Sequence, residues 1–261
     1  MMSLIFQVVL PFVLSAMVVI LVMYIAERYG SKVGGILGTL PSTIVIAFLF
    51  IAYTEGTTFA SQAALVVPAE LGINVVFLFI FALLVHRSTM LAFSATFTIW
   101  AVLSIILVLI HFDNVIISLA IYLITVIVAF FFLEKIRKIP STGNVKVHYT
   151  FQKIVFRGIL AGIVIAVAVF LSNIDAVISG VFSVFPAILS STMLISVREH
   201  GPDFAAGMAK SMMLGLSSVA TYATVIYVLY PLYDIAIGSI VAYIIALCVT
   251  LAIYRLRRKI S

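Results

Sequence analysis

Two ionisable residues stand inside apolar runs, where chemistry in a membrane would need them. Glu70 lies in "ALVVPAELGINVVF" and Lys210 in "GMAKSMMLGLSS". A charge near mid-bilayer costs about 2.5–3.5 kcal/mol or more, so each must be neutral, paired or hydrated. Pro68 precedes Glu70 by two residues, and Asn74 follows one helical turn on, on the same face. Entering from opposite sides of a core of roughly 30 Å, the two backbones differ in depth by only about 6 Å, within reach of a lysine side chain. Three arrangements compete. Lys210 snorkels to the headgroups, or forms a static pair with Glu70. In the third, Glu70 carries a proton or cation and Lys210 is its counter-charge or an anion ligand.

A second set of candidates surrounds two prolines. "GGILGTLPSTIVIAF", residues 34–48, places Pro41 in an apolar run beside Thr39, Ser42 and Thr43. "SGVFSVFPAILSSTM" repeats the pattern at Pro186, flanked by Ser183, Ser190, Ser191 and Thr192. Proline supplies no N–H and crowds the carbonyl four residues earlier, here Leu37 and Phe182. A carbonyl freed in this way must face protein, water or a ligand rather than lipid. Each proline lies roughly 9 Å along its helix. Polar stripes at Ser217, Thr221 and Thr224 and at Ser118, Tyr122 and Thr125 are accounted for by hydrogen bonds between helices.

Other chemistries lack their residues. His86, His111, His148 and His200 show no local metal-ligand spacing, and no GxxxxGK[ST] phosphate loop occurs. No Ser–His–Asp or paired-Asp constellation lies in the apolar segments, so an enzyme is not expected, and no cofactor is implied. Cys248 is the single cysteine, which excludes a disulfide within the chain.

These residues need a bilayer to position them. Of 261 residues, 65% are hydrophobic and 9% charged, and the mean hydropathy is +1.34. No soluble domain hides that much apolar surface, so the expected class is all-α and polytopic. Nine segments are long enough to span: about 4–26, 35–53, 60–85, 90–111, 114–133, 151–171, 177–197, 204–229 and 233–254. The first carries no basic n-region and reads as a retained span rather than a cleaved signal. The net charge of +6 does not point to nucleic acid, because the basic residues cluster beside the spans. All 15 Lys and Arg fall on the side reached after odd-numbered spans, whereas Glu55, Asp113, Asp175 and Asp234 lie on the other. The positive-inside rule therefore predicts an N-terminus outside and a C-terminus in the cytoplasm of a cell (inner) membrane.

The proline segments also report a duplication. A shift of 145 takes Gly35 to Gly180, Pro41 to Pro186, Gly56 to Gly201 and Phe59-Ala60 to Phe204-Ala205. "EGTTFA" is answered by "EHGPDFA". The shift spans five helices, an odd number, so the copies face opposite ways. A 4+1+4 inverted repeat is predicted: residues 1–112 form a four-helix repeat, 113–148 a linker helix with a cytoplasmic loop, and 149–261 the inverted second repeat. Inverted repeats with interrupted spans at matching positions point to a transport site near the midplane.

"GGILGTLPSTIVIAFLFIAYTEG" and the two spans after it resemble the GlpM-like (DUF3147-type) small inner-membrane proteins. That resemblance implies four-helix units with a Gly- and Pro-containing second helix, and this chain would be a fused antiparallel pair of them. Pro41-Ser42-Thr43 matches the motif, whereas Pro186-Ala187-Ile188 departs from it where the family has a hydroxyl. The resemblance implies an architecture rather than an activity.

The expectation is a secondary transporter of a small solute or ion, working by alternating access with protons as a candidate coupling ion. Its pathway would run past Thr39, Pro41, Ser42, Thr43, Glu70, Asn74, Ser183, Pro186, Ser190, Ser191 and Lys210. A channel and a non-transporting assembly or scaffold protein are the alternatives. Expected partners are the lipid bilayer, the solute or ion, and a second copy of the chain as a candidate homodimer.

Overall fold

In a bilayer the backbone must satisfy its own hydrogen bonds, and apolar runs of this length do so as helices. The computed structural model describes residues 5–29, 41–111, 113–140 and 150–260, and no strand occurs among them. The helices are α1 (Leu10–Tyr29, entered through a π turn at Ile5–Val9), α2 (Ser42–Glu55), α3 (Thr57–Leu84) and α4 (Thr89–Leu109). They continue with α5 (Val115–Phe131, extended by a π turn at Phe132–Ile136), α6 (Phe151–Leu171), α7 (Ala176–Ser183), α8 (Ala187–Leu229) and α9 (Ile235–Ile260). Seven stretches among the described residues are long and apolar enough to cross a membrane, counting Ala176–Leu229 as one. Several long apolar helices of this kind mark a multi-pass membrane protein. The α2 helix, 14 residues long, is too short by itself.

Helix starts are written locally. Asn114 Oδ1 accepts from the N–H of Ile116 at 2.9 Å and of Ile117 at 3.2 Å. Asp175 accepts from Ile178 N at 3.0 Å and Asp234 from Ile237 N at 2.8 Å. Two of the acids that sequence places on one face are thus N-caps, each satisfying a backbone donor of the first turn.

The α3 helix is the centre of the bundle. It is buried over 83% of its apolar window, against 22% for α1 and α5, and it packs on α2, α4, α5, α7 and α8. Small residues let these helices approach. Ala60, Ala63 and Ala64 of α3 and Ala205, Ala206 and Ala209 of α8 are all fully buried. On α6 a Cβ at Gly162 would stand 2.7 Å from the Phe12 carbonyl oxygen of α1, and Gly158 is equally crowded by Ile20. On α7 a Cβ at Gly180 would overlap the Ala63 carbonyl oxygen. That obstacle is main chain and cannot rotate away. Gly180→Val is therefore expected to destabilise by about 3 kcal/mol, the upper end of overpacking costs, measured as thermal unfolding of the purified protein.

Positions 145 apart share a backbone. Pro41 (φ −78°, ψ 44°) and Pro186 (φ −75°, ψ 33°) each stand immediately before a helix start. Gly56 (φ 93°, ψ 161°) separates α2 from α3, and Gly201 (φ 83°, ψ 177°) divides α8 into arms 187–200 and 202–229. Both glycines occupy a region that other residues essentially never adopt. Neither has any atom within 4 Å of a would-be Cβ. Gly56→Ala and Gly201→Ala should each cost about 1–3 kcal/mol through backbone strain alone. Calorimetry should find the two similar, and a null effect at either would show that the bend tolerates a side chain.

Candidate functional site

Pro186 does not kink a continuous helix, as the sequence suggests, but stands before a new one. Pro41 likewise precedes the start of α2, with residues 30–40 outside those described. The α7 helix ends at Ser183 and α8 starts at Ala187. The carbonyl expected to be freed, Phe182 O, accepts from Phe185 N at 3.1 Å, and Ala187 N turns back to Phe185 O at 2.8 Å. The carbonyl that leaves the ladder is Val184 O, and Asn74 Nδ2 of α3 donates to it at 2.8 Å.

Glu70 lies one turn before Asn74 and is fully buried. Its Oε1 accepts from Ser104 Oγ of α4 at 2.8 Å, and the Trp100 indole of α4 also acts on the carboxyl. Among the described residues, Glu70 Oε2, Asn74 Oδ1 and Trp100 Nε1 make no hydrogen bond; the indole is near the acid but beyond bonding geometry. Trp100 meets Phe185 edge to face, with centroids 4.8 Å apart, and Phe185 stacks on Phe182 at 6.2 Å. Glu70, Asn74, Trp100 and Ser104 are therefore gathered against the α7–α8 break, behind aromatic rings. Upstream, Pro68 disturbs the α3 ladder, and Ser118 Oγ of α5 accepts from Ala69 N at 2.9 Å.

Lys210 does not join this site. Its Nζ donates to Glu134 Oε2 at 2.6 Å and to the Ile139 carbonyl. The expected approach to Glu70 fails for a geometric reason. The α3 helix and the second arm of α8 run antiparallel, with Ser61 against Tyr227 and His86 against Asp203. Lys210 therefore stands level with about Phe79, roughly 13 Å along α3 from Glu70. The lean of each side chain toward its own helix N-terminus widens the gap. Glu134, in the π turn after α5, received no role from sequence.

The hydroxyl candidates mostly return to their own helices. Ser183 donates to Gly180 O at 2.6 Å, Ser190 to Pro186 O at 2.5 Å and Ser191 to Ile188 O at 3.0 Å. Thr192 Oγ1 accepts from Arg157 Nη2 at 2.7 Å, and Arg157, read from sequence as an orienting charge, is buried. Pro41 is buried and Ser42 and Thr43 are half-buried at the start of α2, which packs on α1, α3, α6 and α9. Thr39, with Gly35 and Leu37, lies outside the described residues. Of the polar stripes, Ser118, Tyr122 and Ser217 do bridge helices, with Tyr122 Oη and Ser217 Oγ 2.8 Å apart. Thr125, Thr221 and Thr224 instead bond carbonyls four residues earlier in their own helices.

Two shallow, open cavities occur among the described residues, and neither is a hydrophilic void between the two prolines. One of about 400 Å³ is an apolar groove between α3 and α5, lined by Phe79, Ile80, Ile124 and Val128. The other, of about 350 Å³, is lined by Gln62, Leu65, His111, Asp113, Asp175 and Tyr227. Its floor at Leu65 is five residues from Glu70 along α3, roughly 7.5 Å. At the other end of the bundle, ion pairs join Lys210 to Glu134 and Lys153 to Glu199, and His86 Nε2 lies 2.8 Å from Asp203 Oδ1.

Trp100 and Ser104 were the residues missed. The chain's one tryptophan with a serine four positions on, in an otherwise apolar span, was the available signal. No protein-family profile matches the chain, and neither a curated protein nor a solved structure is significantly similar to it.

Proposed function

We propose that this chain is a secondary transporter of a small solute or ion that works by alternating access. Its nine spans form a 4+1+4 inverted repeat, a fused antiparallel pair of GlpM-like units, with the N-terminus outside. The matched dihedrals at Pro41 and Pro186 and at Gly56 and Gly201 support the repeat, since unrelated bends have no reason to agree at one offset. One observation carries the transport reading: a fully buried carboxyl with an unpartnered oxygen lies beside the break in a discontinuous helix. Intramembrane acids of this kind mark ion and substrate paths.

In this reading the closed end is the basic face, taken as cytoplasmic. Two ion pairs and the His86–Asp203 contact tie that end, while the cavity at Gln62 and Asp175 lies at the opposite one. Alternating access would loosen the first set and collapse the second.

A scaffold reading has its own support, because every break carbonyl followed above is taken by a protein group. Flux decides between them. Purified protein in liposomes should give saturable uptake of at least one member of a panel of ions and metabolites. Conduction without saturation would favour a channel. No flux, together with copurification of one stoichiometric partner, would sink the transport reading.

A further inference from the structure

We infer that the ion taken by this site is a proton on Glu70 Oε2, and that Asn74 relays its presence to the α7–α8 break. The inference rests on the transport reading and names its coupling ion. The two unpartnered oxygens, Glu70 Oε2 and Asn74 Oδ1, are both acceptors on one face of α3, one turn apart. A buried acceptor without a donor is unfavourable. One proton on Oε2 makes that oxygen a donor and serves both atoms at once. A metal ion would need several more oxygens around it. The neighbours here are a hydroxyl already donating, an indole and aromatic rings.

No charged group competes for the proton. The α4 helix contains no ionisable residue. The α2 helix carries Glu55 at its far end, and Asp175 caps α7. On α5, Tyr122 is engaged by Ser217, and Glu134 lies beyond the helix, paired to Lys210. On α8, Arg198, Glu199, His200 and Asp203 cluster around Gly201, and Tyr222 lies toward the opposite end. The groups acting on the Glu70 carboxyl are Ser104 and Trp100.

The relay follows from what Asn74 holds. With the proton present, its Oδ1 accepts from Glu70 and its amide N–H₂ stays on Val184 O. When the proton leaves to the bulk, the carboxylate needs a donor, and the Asn74 amide turns to supply it. Val184 O is then released and the break unpinned. The proton is the only species gained or lost.

Infrared difference spectroscopy of the purified protein in lipid nanodiscs, titrated with pH, tests this. The expected result is a protonated-carboxyl band that vanishes in Glu70→Gln and shifts in Asn74→Leu. Hydrogen exchange at 184–189 in the wild type should rise as the band disappears, a readout that needs no Asn74 variant. A missing band, a band unmoved by Asn74→Leu, or exchange at 184–189 indifferent to pH would overturn the inference. So would thermal stabilisation by sodium chloride over choline chloride that is lost in Glu70→Gln. None of these readouts needs a solute. Solute flux without the Glu70 band would remove this inference alone, whereas the band and its relay without any flux would uphold it and remove the transport reading.

Discussion

Glu70→Gln is expected to abolish proton-driven uptake while leaving the protein inserted and folded. Glutamine keeps the shape of the side chain and an oxygen that can accept from Ser104 Oγ. Its N–H₂ replaces the unpartnered Oε2 with a permanent donor, one turn from the free Asn74 Oδ1. The variant therefore imitates the protonated state and cannot leave it. Stability should be unchanged or raised by about 1 kcal/mol, the net worth of one added hydrogen bond. Flux driven by a pH gradient should fall to background in proteoliposomes, while thermal unfolding stays near wild type. Uptake with unaltered pH dependence would refute a carrier role for Glu70. Glu70→Ala is a poorer probe, because it strands the Ser104 hydroxyl and opens a void, so lost flux would be confounded with lost packing.

Glu134→Ala should be strongly destabilising, and it should be asymmetric with Lys210→Met. The Lys210 side chain is 1% exposed and Glu134 39%. Removing the acid leaves a buried ammonium with the Ile139 carbonyl and the Phe130 ring, 6.0 Å away, as its remaining anchors. Breaking a fully buried pair from one side costs about 3–5 kcal/mol. Water reaching the half-exposed Glu134 lowers that to roughly 2–3 kcal/mol. Lys210→Met removes the buried charge itself and fills the same space, so its cost should stay below about 1.5 kcal/mol. The double variant should then be more stable than Glu134→Ala alone. Equal and additive single effects in thermal unfolding would show that the pair carries no coupling. The contact pins the π turn after α5 to the second arm of α8.

The all-helical, membrane-spanning class was legible in the sequence because its cause is local, although the span expected over 177–197 divides into α7 and α8. Apolar runs in a bilayer must become helices, and Asn114, Asp175 and Asp234 cap the turns that immediately follow them. The paired prolines and glycines were legible too. A proline removes a backbone donor and a glycine permits a φ that other residues avoid, so their recurrence at one offset marked where breaks could fall. Identity alone did not settle it, since Pro68 lies inside a continuous helix and most of the described glycines are helical. Whether those breaks open a void was not legible, because that depends on what the neighbouring helix presents. Asn74 fills the Val184 carbonyl only because α3 is rotated to face the α7–α8 break.

The pairing of charges was decided by the fold alone. Counting residues from each side put Glu70 and Lys210 near one depth. The packed register of α3 against α8 instead sets Lys210 level with about Phe79, roughly 13 Å along α3 from Glu70. Lys210 accordingly found Glu134, a residue in a connecting turn that no periodicity places. Trp100 and Ser104 reached Glu70 for the same kind of reason, the rotation of α4 about its axis. Sequence determined which groups must be satisfied inside the bilayer; helix rotation and register decided which group satisfies which.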